Sequence, residues 1–241
     1  MVYQFKVQLK NISKPPVWRK IIIPADFTFQ RFHDVIQTVF GWEDYHLFEF
    51  QDKEYQCTIR IAVPSEDDFD FEVKTLDASK VRLSDLFIGN FRKLLYVYDF
   101  GDNWVHEITL EKIFDDKRKE AFCLSGKGNC PPEDCGGPYG YEDMKNIFQT
   151  MPDSKVADEY RYWLGFDKDE IWESTALISM KYYKLNSHFH TGTTSIVLPF
   201  ISTTRSVSRV IISSFLHSNT SVIFSKAFTS LSNVPSLLSR L

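Results

Sequence analysis

A chain of 241 residues with 43% apolar and 25% charged side chains has the composition of an ordinary globular protein and enough apolar material for one large domain or two small ones. Its formal charge of −4 conceals a division, because residues 181–241 hold six Lys or Arg and no Asp or Glu, so residues 1–180 set 22 basic against 32 acidic side chains and carry −10. An acidic body argues against a nucleic-acid surface spread over the main part of the chain, although a local basic patch stays open, and composition does not choose between a protein and a nucleic acid as partner.

Tyr3, Phe5, Val7 and Leu9 alternate with Gln4, Lys6, Gln8 and Lys10, the period of a strand with one buried face. The same opening lacks the basic start and apolar core of a signal peptide, and no run of about 18 apolar residues follows anywhere, so neither a secretion signal nor a spanning helix is expected. The default compartment is then a reducing cytoplasm. Residues 17–23 read as a second strand stopped by Pro24, joined to the first as a hairpin.

Thr28 is placed as an N-cap, and Phe32, Val35, Ile36, Val39 and Phe40 recur at helical spacing until Gly41, a residue suited to a left-handed C-terminal cap. His33, beside that apolar stripe, reads as a packing residue rather than a ligand. Two strands are expected in residues 46–50 and 55–61. The acidic residues 64–80 lack the glycine and oxygen spacing of an EF-hand and read as a solvated loop. Residues 83–87 form a helical turn.

Residues 94–100 and 104–113 flank Gly101-Asp102-Asn103, a hairpin turn composition. A three-residue loop would set Phe100 opposite Trp104 and Tyr98 opposite His106, with Tyr96 and Ile108 on the same aromatic face. Further on, Met144, Ile147, Phe148 and Met151 mark a helix, Tyr160, Trp163 and Leu164 a second, and Ile171, Trp172, Leu177 and Met180 a third. Strands and one helix, then strands, then helices, predict an α+β fold with an antiparallel or mixed sheet, a helix after the first hairpin and a C-terminal helical group. The missing βαβ alternation excludes a doubly wound parallel fold.

Four separated motifs carry a resemblance. They are Pro16-Val17-Trp18-Arg19; Phe32-His33 through Ile36-Gln37 to Phe40-Gly41-Trp42, with His46-Leu47 and Phe50; Tyr98-Asp99-Phe100-Gly101-Asp102 with Trp104 and His106; and Cys130-Pro131-Pro132-Glu133-Asp134-Cys135-Gly136-Gly137 with Gly140-Tyr141. In this order the chain resembles the plasmid pRiA4b open-reading-frame-three-like family, also labelled as mobile-element passenger proteins. The resemblance covers about residues 1–180 and implies an α+β domain without an assigned activity.

Within residues 123–141, Cys123, Cys130 and Cys135 are spaced C-x6-C-x4-C, without the C-x2-C knuckle of a strong zinc motif. A zinc ion held there would need a fourth ligand from His106, Asp134 or water. The plainer reading is a rigid glycine- and proline-rich loop whose thiols act as small buried hydrophobes. Three functions follow. The first is a non-catalytic binding or interaction module with Trp18, Trp42, Trp104 and Tyr139 as its surface. The second is a metal-dependent hydrolase or nuclease using Asp99, Asp102, His106 and Glu133, and the third is a structural zinc site in an interaction domain. No P-loop, dinucleotide glycine motif or Ser-His-Asp spacing supports a nucleotide-using enzyme. The binding module is preferred.

Residues 181–241 change character, with 14 Ser and 7 Thr and only short apolar runs. They are expected to be a Ser/Thr-rich basic tail rather than an independent domain.

Overall fold

The computed structural model describes residues 1–65 and 73–173, together with the backbone of Leu177–Ile178. Its elements are β1 (Val2–Leu9), β2 (Trp18–Pro24), α1 (Phe29–Phe40), β3 (Phe48–Gln51), β4 (Arg60–Ala62), β5 (Thr75–Asp77), α2 (Leu83–Leu86), β6 (Lys93–Tyr98), β7 (Trp104–Phe114), β8 (Phe122–Lys127), α3 (Gly137–Thr150), α4 (Lys155–Leu164) and β9 (Leu177–Ile178). The strands form one mixed sheet ordered β5-β4-β3-β6-β7-β1-β2-β8-β9, antiparallel throughout except for the parallel pair β4–β5. The expected α+β class is the observed one.

The alternation in β1 sets the core. Tyr3, Phe5, Val7 and Leu9 are buried, and α1 lies over them with Phe32 stacked 5.1 Å from Phe5 and 5.6 Å from Phe50 of β3. Each such ring removes about 150–250 Å² from water, so this aromatic layer supplies much of the stabilisation of the fold. The helix begins and ends where its sequence dictates: Thr28 Oγ1 accepts the Arg31 N–H at 3.3 Å, and Gly41, at φ 80°, donates to the Gln37 carbonyl. Loss of the Thr28 hydroxyl would cost about 1 kcal/mol.

Arg19 has a different task. It stands opposite Val7 on the core face and is buried. Its Nε donates to the Val39 carbonyl in the last turn of α1 at 2.9 Å, its Nη1 to the carbonyls of Trp18, Lys127 and Gly128, and its Nη2 to Cys130 Sγ at 2.9 Å. One guanidinium therefore ties β2 to the helix, to the end of β8 and to the loop beyond it.

The structure departs from the sequence reading at four places. The hairpin turns on five residues rather than three, since Tyr98 pairs with Trp104 and Tyr96 with His106. Asp99 (φ 55°) and Asn103 (φ 54°) both adopt the left-handed conformation, and the Asn103 N–H closes the turn on the Asp99 carbonyl. Phe100 is consequently 49% exposed instead of facing Trp104. Next, β5 lies within the expected acidic loop, of which residues 66–72 lie outside the described residues, and Cys123 belongs to strand β8. Last, in place of a third C-terminal helix, Leu177–Ile178 pairs with β8. The expected tail at 181–241 lies outside the described residues.

Candidate acidic site

Three connections meet at one end of the sheet. His46 lies between α1 and β3, Asp99 directly follows β6, and Glu133 and Asp134 lie between β8 and α3. Backbone bonds fix their relation. The Asp99 N–H donates to the Leu47 carbonyl at 3.0 Å, the Glu43 N–H to Glu133 Oε1 at 2.8 Å, and the Trp42 indole N–H to the Pro131 carbonyl at 2.9 Å.

The segment carrying His46 is held from below by a polar chain in the aromatic core. His33 is fully buried, stacked 3.7 Å from Phe48, with Nε2 2.7 Å from Asp44 Oδ1 and Nδ1 2.8 Å from the Tyr96 hydroxyl. The carboxylate assigns the proton to Nε2, leaving Nδ1 to accept from Tyr96, whose oxygen also accepts from Gln37. His33 is thus a satisfied packing residue, as its place beside the helix stripe suggested.

The loop bearing Glu133 and Asp134 is set by close backbone contact. A Cβ on Gly137 would stand 2.5 Å from the Asp102 carbonyl oxygen, and one on Gly140 only 1.9 Å from that of Cys135. Asp102 is spent on the same junction, its Oδ2 accepting the Gly136 N–H at 3.1 Å.

His46 Nε2 faces Asp134 Oδ1 at 3.1 Å, Asp99 Oδ2 at 3.7 Å and Glu133 Oε2 at 3.9 Å. That nitrogen is out of contact with solvent, and Asp134 Oδ1, though within ion-pair distance, lies off the direction of a hydrogen bond to it. Asp99 is buried, with Oδ1 accepting the Gly101 N–H at 2.9 Å and Oδ2 turned toward His46. Glu133 accepts from the Tyr98 hydroxyl at 3.1 Å, and burial raises its carboxyl above the ordinary glutamate range. The Tyr98 phenol is itself shifted up, first by burial and then by Glu133. Exposed Tyr45, Leu47 and Phe100 stand beside these groups in the chain.

The residues singled out from sequence divide between this site and the interior. Asp99, Glu133 and Asp134 belong to the site, whereas His106 is 0% exposed in the core. Its Nδ1 donates to the Trp104 carbonyl at 3.0 Å, and burial lowers its pKa to about 3. Trp42 and Trp104 are buried, Trp42 stacking 5.0 Å from Tyr98; Trp18 is partly covered and Tyr139 is 88% exposed, so these four do not line one cleft. None of the four cysteines is in a disulfide. Burial pushes Cys123 and Cys130 up to about 11 and Cys135 up to about 12. Among the described residues, the one set of three His, Cys, Asp or Glu side chains whose ligand atoms all lie within 4.8 Å is His46, Asp99 and Asp134. Cys123, Cys130, Cys135 and His106 do not assemble such a set. His46 entered the sequence reading only as part of a motif; its signal was that it stands in one of the four motifs that carry the resemblance, as do Asp99 and Glu133-Asp134.

A family model described as plasmid pRiA4b ORF-3-like protein matches residues 1–175. The chain belongs to this family. It is similar to the uncharacterized protein y4hQ of Sinorhizobium fredii (strain NBRC 101917 / NGR234), 35% identical over 166 residues that span 68% of this chain and 81% of the relative. The crystal structure of a protein of unknown function, MM3350 from Methanosarcina mazei Go1, matches with a TM-score of 0.62 and 34% identity, over 73% of this chain and 92% of that one. The family relation thus carries the fold, and neither relative is described with an activity. All four motifs that defined the resemblance lie inside the matched region, and three of them meet at the acidic site.

Proposed function

We propose that this family member is a non-catalytic binding module whose recognition point is the acidic recess of His46, Asp99, Glu133 and Asp134, and that its ligand presents positive charge. One observation carries the reading: three carboxylates converge on a single imidazole nitrogen at 3.1–3.9 Å with no Lys or Arg among them. The Asp99 and Asp134 oxygens lie within 4.8 Å of each other and repel, so a cation that enters gains the energy of relieving them. The exposed Tyr45, Leu47 and Phe100 offer apolar surface beside the charge, the composition of a recognition patch rather than of a solvated face.

A hydrolase built on Asp99, Asp102 and His106 has less support. Asp102 is committed to the Gly136 N–H, and His106 is enclosed by Phe40, Trp42 and Tyr96, out of reach of a substrate. The test is calorimetric titration of the full chain with Zn²⁺, Mn²⁺, spermidine and a lysine-rich peptide, beside a phosphodiester hydrolysis assay with added Mn²⁺. Saturable binding weakened by Asp134→Asn is expected, without turnover. Hydrolysis abolished by Asp99→Asn would replace the binding module with an enzyme.

A further inference from the structure

We infer that the ligand of this recess is a first-row divalent metal ion, bound by His46 Nε2, Asp99 Oδ2 and Asp134 Oδ1, with Glu133 at its edge; the inference rests on the binding-module reading above and narrows it. Spacing separates a metal from an organic cation. Donors about 2.1 Å from a metal stand about 3.0 Å apart in an octahedron and about 3.4 Å apart in a tetrahedron. Oxygens about 2.8 Å from a single ammonium nitrogen would stand about 4.6 Å apart. The separations from His46 Nε2, at 3.1, 3.7 and 3.9 Å, lie nearer the metal values.

The donors agree with the spacing. Once its proton has left, an imidazole nitrogen offers a lone pair that a metal accepts directly, beside the lone pairs of the carboxylate oxygens. His46 Nε2 is sealed from solvent and makes no well-directed hydrogen bond even to Asp134 Oδ1 at 3.1 Å, an arrangement that an electron-pair acceptor at the centre would satisfy. Asp99, whose side chain is 9% exposed, turns Oδ2 into the same space, 3.7 Å from His46 Nε2, while its Oδ1 is held by the Gly101 N–H. One nitrogen with two or three carboxylate oxygens is the donor set of Zn²⁺, Mn²⁺ or Fe²⁺. Ca²⁺ requires six or more oxygens, and Mg²⁺ has little use for an imidazole.

The surroundings also behave as a metal's outer shell does. Tyr98 donates to Glu133, and the Gly101 N–H to Asp99, so two of the three carboxylates have one oxygen oriented by a neighbour. Asp134 is the accessible member, its side chain 66% exposed, and marks the side from which an ion enters. It sits at φ 55°, a conformation that asparagine adopts as readily, so Asp134→Asn removes the charge and leaves the backbone undisturbed.

The experiment uses the full chain, stripped with chelator and dialysed, titrated separately with Zn²⁺, Mn²⁺, Mg²⁺ and spermidine. One Zn²⁺ or Mn²⁺ per chain is expected, at least tenfold tighter than Mg²⁺. Affinity should fall about 100-fold in His46→Gln and at least tenfold in Asp134→Asn, with the metal-free melting temperatures of both variants close to that of the parent. Zn²⁺ binding that His46→Gln leaves intact but Cys130→Ser removes would move the metal to the thiols and overturn the assignment. Spermidine binding that depends on Asp134, with no response to Zn²⁺ or Mn²⁺, would overturn the metal and keep the binding module. Silence toward every cation would end both readings.

Discussion

His46 and His106 lie near the same end of the sheet and differ in almost everything that decides what an imidazole does. His106 is packed edge-on to Phe40 and Trp42, donates from Nδ1 to a strand carbonyl, and is held neutral by burial. His46 is 27% exposed and turns its nitrogen to three carboxylates. In sequence the first looked the better ligand, because it sits opposite a tyrosine in a hairpin beside two aspartates. The structure separates them by the face and the loop on which each falls. A strand residue flanked two positions away by Trp104 and Ile108 is carried into the core with them, whereas a loop residue between an exposed tyrosine and an exposed leucine stays at the rim.

The contrast breaks most visibly with acid. An unfolded imidazole takes up its proton near pH 6.5, but folded His106 does so only near pH 3. Between those values the unfolded chain binds more protons, so stability falls as the pH falls, by about 1.4 kcal/mol per unit and about 4–5 kcal/mol in all. Urea denaturation at steps from pH 7 to pH 4 should show that slope, and His106→Phe should flatten it; an unchanged slope would relocate the acid sensitivity. Asp77, held down to about 2 chiefly by the Ser79 hydroxyl, contributes stability that is lost only below pH 4, outside this window.

Next in size is the junction that presents the rim. Gly140→Ala sets a methyl 1.9 Å from the Cys135 carbonyl oxygen, so α3 or the loop before it must move. A loss of about 3 kcal/mol in chemical denaturation is expected, together with loss of cation binding. Asp134→Asn makes the opposite division, with stability unchanged within about 0.5 kcal/mol and affinity falling. The smallest effect on cation binding belongs to Tyr98→Phe. Removing the hydroxyl takes a donor from Glu133 and an acceptor from the Tyr45 N–H, for about 1 kcal/mol in stability and a severalfold weaker site by calorimetry.

Much of this architecture was legible in advance because it is encoded locally. The first helix carries both of its caps in sequence, and β1 its alternation. The hairpin register was misjudged by the turn alone: Asp99 and Asn103 both enter the left-handed region, which lengthens the loop without any change in the aromatic pattern of the strands. β8 was hidden by Gly126, a poor strand former that is present because a Cβ there would meet Arg19 Cδ at 2.7 Å. The acidic site was half visible. Asp99 and Glu133 stood in conspicuous turns, but no period links His46 to either, and their meeting is decided by the pairing of β3 with β6 and by the Trp42–Pro131 bond.

Arg19 carries a consequence for how the chain holds together. Its donors are shared out among acceptors from the first hairpin, the end of α1, the end of β8 and the loop after it, segments remote from one another in the chain. Truncating it would leave buried carbonyls in all of them without that donor at once, a cost of several kcal/mol. The loop that brings Glu133 and Asp134 to the rim is thereby coupled through one side chain to the helix and the sheet behind it.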